Sequence, residues 1–362
     1  MSHTADLAAA LGRQPGTEVT TVGWSAMYPA WLYEGEVAGP GDRPDSPVPV
    51  GVRRSLRWWD PTSWLRTGAR LGREGVDLLV LVQVVPFHAP ALIGLAAAYR
   101  ARCRRSGRVP HVLLVAHNVL PHEPHLGARS LVRLLLHRVD AVLVHSPAQA
   151  DLARALGARQ VSVEDLPPHL PGGPPASTAP RPHRAGPPRL LFFGVVRDYK
   201  GVDVLLDAVR EVSEFRLTVA GQLWGEAGRR VEAAAAPDDL GSRLAVRPGY
   251  VEPGDVPGLM AEHDVMVLPY LHATASQNVE LAHAYGMPVV ASRVGTFAHK
   301  VRDGLDGHLV QPGSLEDLVR VLRELSVPGA VDALADEIRP PDLQRSWNDY
   351  VRTVLAPLGA DA

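Results

Sequence analysis

The stretch Gly194-Val-Val-Arg197-Asp-Tyr-Lys200-Gly201 sets two cations three residues apart, directly after the apolar run 190–193. Lysine occurs only at Lys200 and Lys300; the rest of the 37 basic residues are arginine. A planar guanidinium fork beside a compact ammonium suits a diphosphate, one group gripping two oxygens and the other acting as a point charge. The plainer alternative is a pair of surface cations in a loop. A composition rich in alanine, arginine, glycine and proline accounts for scarce lysine but not for its position.

A second stretch, 268–296, reads LPYLHATASQNVELAHAYGMPVVASRVGT. A strand ends near Tyr270, small polar residues follow at Thr274, Ser276, Gln277 and Asn278, and a helix begins with Val279 and Glu280 in its first turn. Unpaired backbone N–H groups at such a helix start can take phosphate or ribose oxygens; an ordinary cap by Thr274 or Ser276 gives the same pattern. Gly286 and Pro288 close that helix and lead into the next buried strand. Histidines form a third group: His88 and His117 each follow an apolar strand, with His122 and His125 in the loop after His117. The His-Glu-Pro-His run lacks the spacing of a zinc protease and is interrupted by proline, so these are read as polar loop groups and no metal is expected.

The elements that must hold these residues alternate. The run 76–83 is continuously apolar, as in a strand buried on both faces, further strands follow at 111–118 and 140–146, and helical segments separate them. A proline- and glycine-dense stretch over 166–188 can continue neither element. Beyond it the alternation restarts with strands at 189–194, 216–221, 244–251, 264–270, 288–292 and 307–311. This is an α/β chain of two Rossmann-like doubly wound domains facing a central cleft, with ligands expected at the carboxyl ends of the strands. The expected boundaries are 1–166, a linker at 167–188, 189–340, and a C-terminal helix at 341–362 that crosses back to the first domain. No Gly-x-Gly-x-x-Gly is present, which weighs against a dinucleotide oxidoreductase.

Bulk properties narrow the classes. A length of 362 residues allows two cores, and a net charge of −2 gives no global pull toward nucleic acid. The single cysteine, Cys103, excludes an intrachain disulfide and a zinc–thiolate cluster. The absence of an apolar run of spanning length and of a signal-like start points to a cytoplasmic protein. Two basic patches stand out. One mixes Arg53, Arg54, Arg57 and Arg66 with Trp58, Trp59 and Trp64; the other gathers Arg100, Arg102, Arg104, Arg105 and Arg108. Arginine with tryptophan suits an anionic lipid surface at the inner face of a membrane or saccharide stacking. A solvated helix end over packed tryptophans is the simpler account.

Taken in order, G-x-x-R-x-x-K-G after the first strand of the second half and G-x-P-V-V-A-S-x-V-G at 286–295 resemble the retaining sugar-nucleotide glycosyltransferases of the GT-B fold, glycosyltransferase family 4. The likeness covers nearly the whole chain and is strongest over 189–325. It implies transfer of a sugar from a nucleoside-diphosphate donor to an acceptor held by the first domain, with retention and without a metal or other cofactor. Arg197 and Lys200 would stabilise the leaving diphosphate behind Gly194. Gly249, Tyr250 and Val251 would lie beside the base. Thr274 and Ser276 through Glu280 would meet phosphate or sugar oxygens. His117 would stand near the transferred sugar, and His88, His122, Trp58 and Trp59 would line the acceptor side. Many members carry two glutamates eight positions apart, where this chain has Ala273 and Leu281, with Glu280 one residue off; the ATAS run at 273–276 matches a subset of the family instead. Two rivals stand beside this reading: a weak or inactive GT-B partner subunit, and a Rossmann-type oxidoreductase. A further expectation concerns the first domain, which opens on a helix where relatives begin with a strand and a glycine-rich loop; an upstream extension would supply them.

Overall fold

The computed structural model describes residues 2–27, 51–120, 127–175, 186–273 and 276–359. The chain divides into two compact units, Met1–Pro167 together with Leu343–Ala362, and Pro168–Asp342. In the first unit the order is α1 (Ser2–Gly12), β1 (Val22–Ala26), β2 (Arg53–Arg57), α2 (Pro61–Glu74), β3 (Leu78–Gln83), α3 (Ala89–Arg105), β4 (His111–Ala116), α4 (Ala128–Leu136), β5 (Ala141–Val144), α5 (Pro147–Ala155) and β6 (Gln160–Val163). The second unit holds β7 (Arg189–Phe193), α6 (Val202–Glu211), β8 (Arg216–Gly221), α7 (Gly225–Ala234), β9 (Leu244–Pro248), α8 (Val256–Glu262), β10 (Val265–Leu268), α9 (Asn278–Ala284), β11 (Val289–Ser292), α10 (Phe297–Lys300), β12 (Gly307–Val310), α11 (Leu315–Leu325) and α12 (Ala330–Asp336). Helix α13 (Leu343–Leu355) then returns to the first unit.

The second unit is built on one six-stranded sheet in the order β9-β8-β7-β10-β11-β12, all parallel. Its strands are apolar at nearly every position because helices cover both faces; β10 and β11 are buried throughout. The strand order reverses between β7 and β10. A crevice opens at such a reversal, since the loops leaving the two strands turn to opposite faces of the sheet.

The first unit has two sheets. Strands β3-β4-β5-β6 form a parallel sheet in sequence order, and β1 pairs with β2 in a separate parallel ribbon. Helices α1 and α13 cover one face of the larger sheet, burying Leu7, Ala10, Leu11, Tyr350, Val351 and Val354 against Leu113, Val115 and Leu143.

Several elements differ from expectation. Strand β1 forms at Val22–Ala26, ahead of the apolar runs read as strands. Strand β2 was read only as a basic patch, because its single buried side chain, Leu56, leaves no alternation to detect. Helix α2, not anticipated from the sequence, holds Gly68 and Gly72 on its buried face, where their small size allows close approach to α3. Helices α7 and α12 and the mostly exposed β6 lack a strong apolar stripe and were also not anticipated. No helix among the described residues is long and apolar enough to cross a membrane.

Candidate active site

The loop after β7 carries Arg197 and Lys200, and backbone pairing holds it on both sides. Gly194 N donates to Ala220 O at 2.9 Å, Val196 N to Gln222 O at 2.8 Å, and Trp224 N to Val196 O at 3.2 Å, so the loops after β7 and β8 stay zipped beyond the strands. Gly221 makes this possible: a Cβ there would lie 2.1 Å from Gly194 O. Asp198 Oδ1 accepts from Ala227 N at 3.0 Å in the first turn of α7, which anchors the following residues and suits the helix dipole. Arg197 lies in extended backbone, its guanidinium 4.6 Å over the Trp224 ring. Lys200 ends a short 3-10 turn, and Gly201 follows at φ +62°, where a Cβ would lie 2.1 Å from Pro269 O. Leu271 N donates to Tyr199 O at 2.8 Å. The loops after β7 and β10 are thereby stitched together across the order reversal.

Lys200 sits half-buried at this junction. Its Nζ is 5.2 Å from the centroid of the Tyr270 ring and 3.5 Å from where a Cβ on Gly194 would be. Asn278 closes the far side, its Nδ2 donating to Phe193 O at 3.0 Å and to Tyr270 Oη at 3.5 Å. Among the described residues no carboxylate lies within ion-pair distance of Lys200. Burial first, and the Arg197 charge second, pull its pKa down to about 8. An ammonium strained in this way is stabilised by any anion that enters, and a diphosphate brings two negative charges or more.

The remaining second-unit residues divide. Gly194, Arg197, Lys200 and Asn278 converge, joined by Tyr270 and Trp224, which sequence reasoning missed; an aromatic at each strand end was the available signal. Ser276 Oγ accepts from Asn278 N at 3.4 Å, and Gln277 stands at the N-cap position of α9. Val279 and Leu281 point into the core. Glu280 is ion-paired with Lys300, both side chains 13% exposed, so its carboxylate is committed within the unit. Gly249 N donates to Gly221 O at 3.1 Å beyond β9, followed by an exposed Tyr250 and a partly buried Val251 that packs on the core. Thr274 lies outside the described residues.

In the first unit His117 follows β4. Its ring centroid is 5.0 Å from that of His3 and 5.3 Å from that of His145, and Trp347 and Tyr350 of α13 complete the cluster. Burial, then the neighbouring His145 and the N-terminal amine, lower the His117 pKa to about 4, so it is a neutral imidazole at pH 7. His88 is buried at 3% exposure, stacked on Trp24 at 4.6 Å, with Nε2 3.2 Å from Met27 O; it acts as an interior packing group. Trp58 and Trp59 pack edge to face at 5.5 Å, Trp59 largely exposed. His122 and His125 lie outside the described residues. Among the described residues no group of three or more histidine, cysteine or carboxylate side chains is arranged to hold a metal ion.

A 3-2-1-4-5-6 parallel sheet with two cations at its order reversal, in a chain that also holds another α/β unit, defines the class: the fold is that of the GT-B glycosyltransferases. Residues 187–326 match the family described as glycosyl transferases group 1. A curated relative, the GDP-mannose:glycolipid 4-beta-D-mannosyltransferase of Xanthomonas campestris pv. campestris, is 36% identical over 190 residues, covering 48% of this chain and 50% of that protein. The chain thus spans about half the length of the curated relatives it matches. Among solved structures, sucrose-phosphate synthase from Thermosynechococcus elongatus superposes with a TM-score of 0.69 at 17% identity, over 98% of this chain and 90% of that one. Anabaena HepE in complex with UDP gives 0.65 at 17%, over 84% and 85%.

Proposed function

We propose that this chain transfers a sugar from a nucleoside-diphosphate donor to an acceptor hydroxyl. The bond between the anomeric carbon and the diphosphate oxygen breaks, and the diphosphate leaves with the electron pair. The acceptor oxygen bonds to the anomeric carbon and gives up its proton to the departing diphosphate oxygen. Negative charge grows on the leaving group as the bond breaks, and Arg197 and Lys200 are positioned to stabilise that growth in a partly desolvated site, where fixed charges act most strongly. The pair takes the part a metal plays elsewhere, and transfer proceeds with retention of configuration at the anomeric carbon.

The observation that carries this reading is Lys200: half-buried, without a carboxylate among the described residues, its pKa pulled to about 8, at the switch point of the sheet. Support comes from the Xanthomonas relative, named for a GDP-mannose donor and a glycolipid acceptor, and from the HepE complex with UDP. A panel of UDP- and GDP-sugars, screened by thermal shift and then by transfer to sugar and glycolipid acceptors, tests it. A donor present at 100 times its Kd raises the folded state's stability by about 2.7 kcal/mol. No shift with any sugar nucleotide would defeat the proposal. Binding without transfer or hydrolysis favours a partner subunit instead, a reading that draws on the uncharged Ala273 and Leu281.

A further inference from the structure

We propose that Trp224 and Tyr270 are positioning residues, whose ring faces hold the Arg197 guanidinium and the Lys200 ammonium in place for a diphosphate without drawing on the charge of either. The order of the sheet makes the arrangement. Strand β7 lies between β8 and β10, and its loop carries both cations. The loop after β8 delivers Trp224, whose ring centroid is 4.6 Å from the Arg197 guanidinium carbon. The loop after β10 delivers Tyr270, whose ring centroid is 5.2 Å from Lys200 Nζ. Each flanking strand thus supplies one aromatic seat to the loop of the strand between them.

Both rings are themselves fixed. Trp224 N donates to Val196 O at 3.2 Å, and its carbonyl accepts from Gly228 N at 3.1 Å, so the backbone on both sides of the ring is committed. Tyr270 is 3% exposed and packs edge to face on Phe297 at 5.2 Å, while its hydroxyl oxygen accepts from Asn278 Nδ2 at 3.5 Å. Burial pushes the Tyr270 hydroxyl up from its ordinary range, so it stays neutral and offers the ammonium a ring face rather than an oxyanion. The kind of seat matters to the chemistry. A carboxylate would hold a cation as firmly, but it would neutralise the charge and compete with an incoming phosphate. Lys300, Arg210 and Arg302 are held in that way in the same unit, on Glu280, Asp239 and Asp306. A ring attracts a cation through its quadrupole and adds no net charge, so the field at the strand ends stays positive. The inference rests on the diphosphate reading of the site and adds to it the two groups that set the cations.

Calorimetry with UDP and GDP on the full chain tests it. Trp224→Leu and Tyr270→Leu are each expected to lower nucleotide affinity about tenfold, the scale of a partly desolvated contact between cation and ring. In chains that already carry Arg197→Met or Lys200→Met, respectively, the same replacements are expected to cost less than about twofold, because the ring has nothing left to hold. A ring that only props its loop would cost the same with and without the cation, so equal losses overturn the inference. Replacing Trp224 by a ring-fluorinated tryptophan keeps its shape and weakens the negative face of the ring. Affinity is expected to fall about threefold, and an unchanged affinity overturns the inference. This half-buried position keeps the test decisive if Tyr270→Leu, in the core, folds poorly. If the unaltered chain binds neither nucleotide, the diphosphate reading fails and the inference with it. If the unaltered chain binds and the leucine variants bind as tightly, the inference alone fails.

Discussion

The two units finish their strand ends in opposite ways. In the second, the loops after β7 and β10 are joined at the order reversal by Leu271 N donating to Tyr199 O, and the β7 loop presents two cations, with Lys200 between Tyr270 and Asn278. In the first, the four strands β3 to β6 run in sequence order without a reversal, and the ends of β4 and β5 are filled by rings from His3, His117, His145 and Tyr350. Both units bury parallel strands beneath helices, so the layer architecture alone does not make an anion site. The reversal opens the crevice, and the charge of the residues leaving the strands decides what can occupy it.

The largest effect is expected at Lys200. Lys200→Ala should lower turnover by about two to three orders of magnitude, the usual cost of removing one stabiliser of a charged leaving group, while the melting temperature stays put. Steady-state kinetics on the variant check this, and unchanged turnover would separate the cation from the chemistry. The chain's other lysine sharpens the contrast. Lys300→Met removes the partner of the largely buried Glu280 and should cost about 3 kcal/mol of stability, because a charge is left in a poorly solvated place. Urea unfolding measures it, and a loss in nucleoside-diphosphate affinity as large as the loss in stability would put Lys300 in the site rather than in its support.

In the first unit the buried His117 predicts acid sensitivity. The folded pKa of His117 is about 4 against an unfolded value near 6.5. The unfolded chain therefore binds a proton that the folded one refuses, and stability present above about 6.5 is lost as pH falls toward 4. His117→Gln should flatten that loss by about 2 kcal/mol; an unaltered acid limb in pH-dependent melting would mean the ring is solvated. The smallest effect is expected in ligand binding at alkaline pH. Lys200 must be charged to hold a diphosphate, so affinity for UDP or GDP should fall as pH rises through about 8, reaching roughly tenfold by one pH unit above. Calorimetry across pH 7 to 9.5 reads this, and a flat affinity would show that Lys200 does not contact the anion.

Much of this arrangement was legible in the residues themselves. Continuous apolar runs such as Leu190 to Phe193 announce strands buried on both faces, and the glycines of G-x-x-R-x-x-K-G mark where a strand stops and its loop turns. Arg197 and Lys200 were therefore assignable to a strand end from local pattern, which depends on near neighbours in the chain. Other features depend on partners far away in sequence. Phe193 meets Asn278 across 85 positions, and Glu280 finds Lys300 twenty residues on, which turns a candidate ligand contact into an internal ion pair. His88 resembled His117 in sequence, both following apolar strands, yet one is stacked inside on Trp24 and the other joins a ring cluster with α1 and α13. Burial, pKa and strand order are set by what packs against a residue from elsewhere. The amino-acid sequence determined where the strands and their cations lie along the chain. Only the tertiary structure decided that Lys200 has no carboxylate partner among the described residues, because that depends on the distance to every other charge.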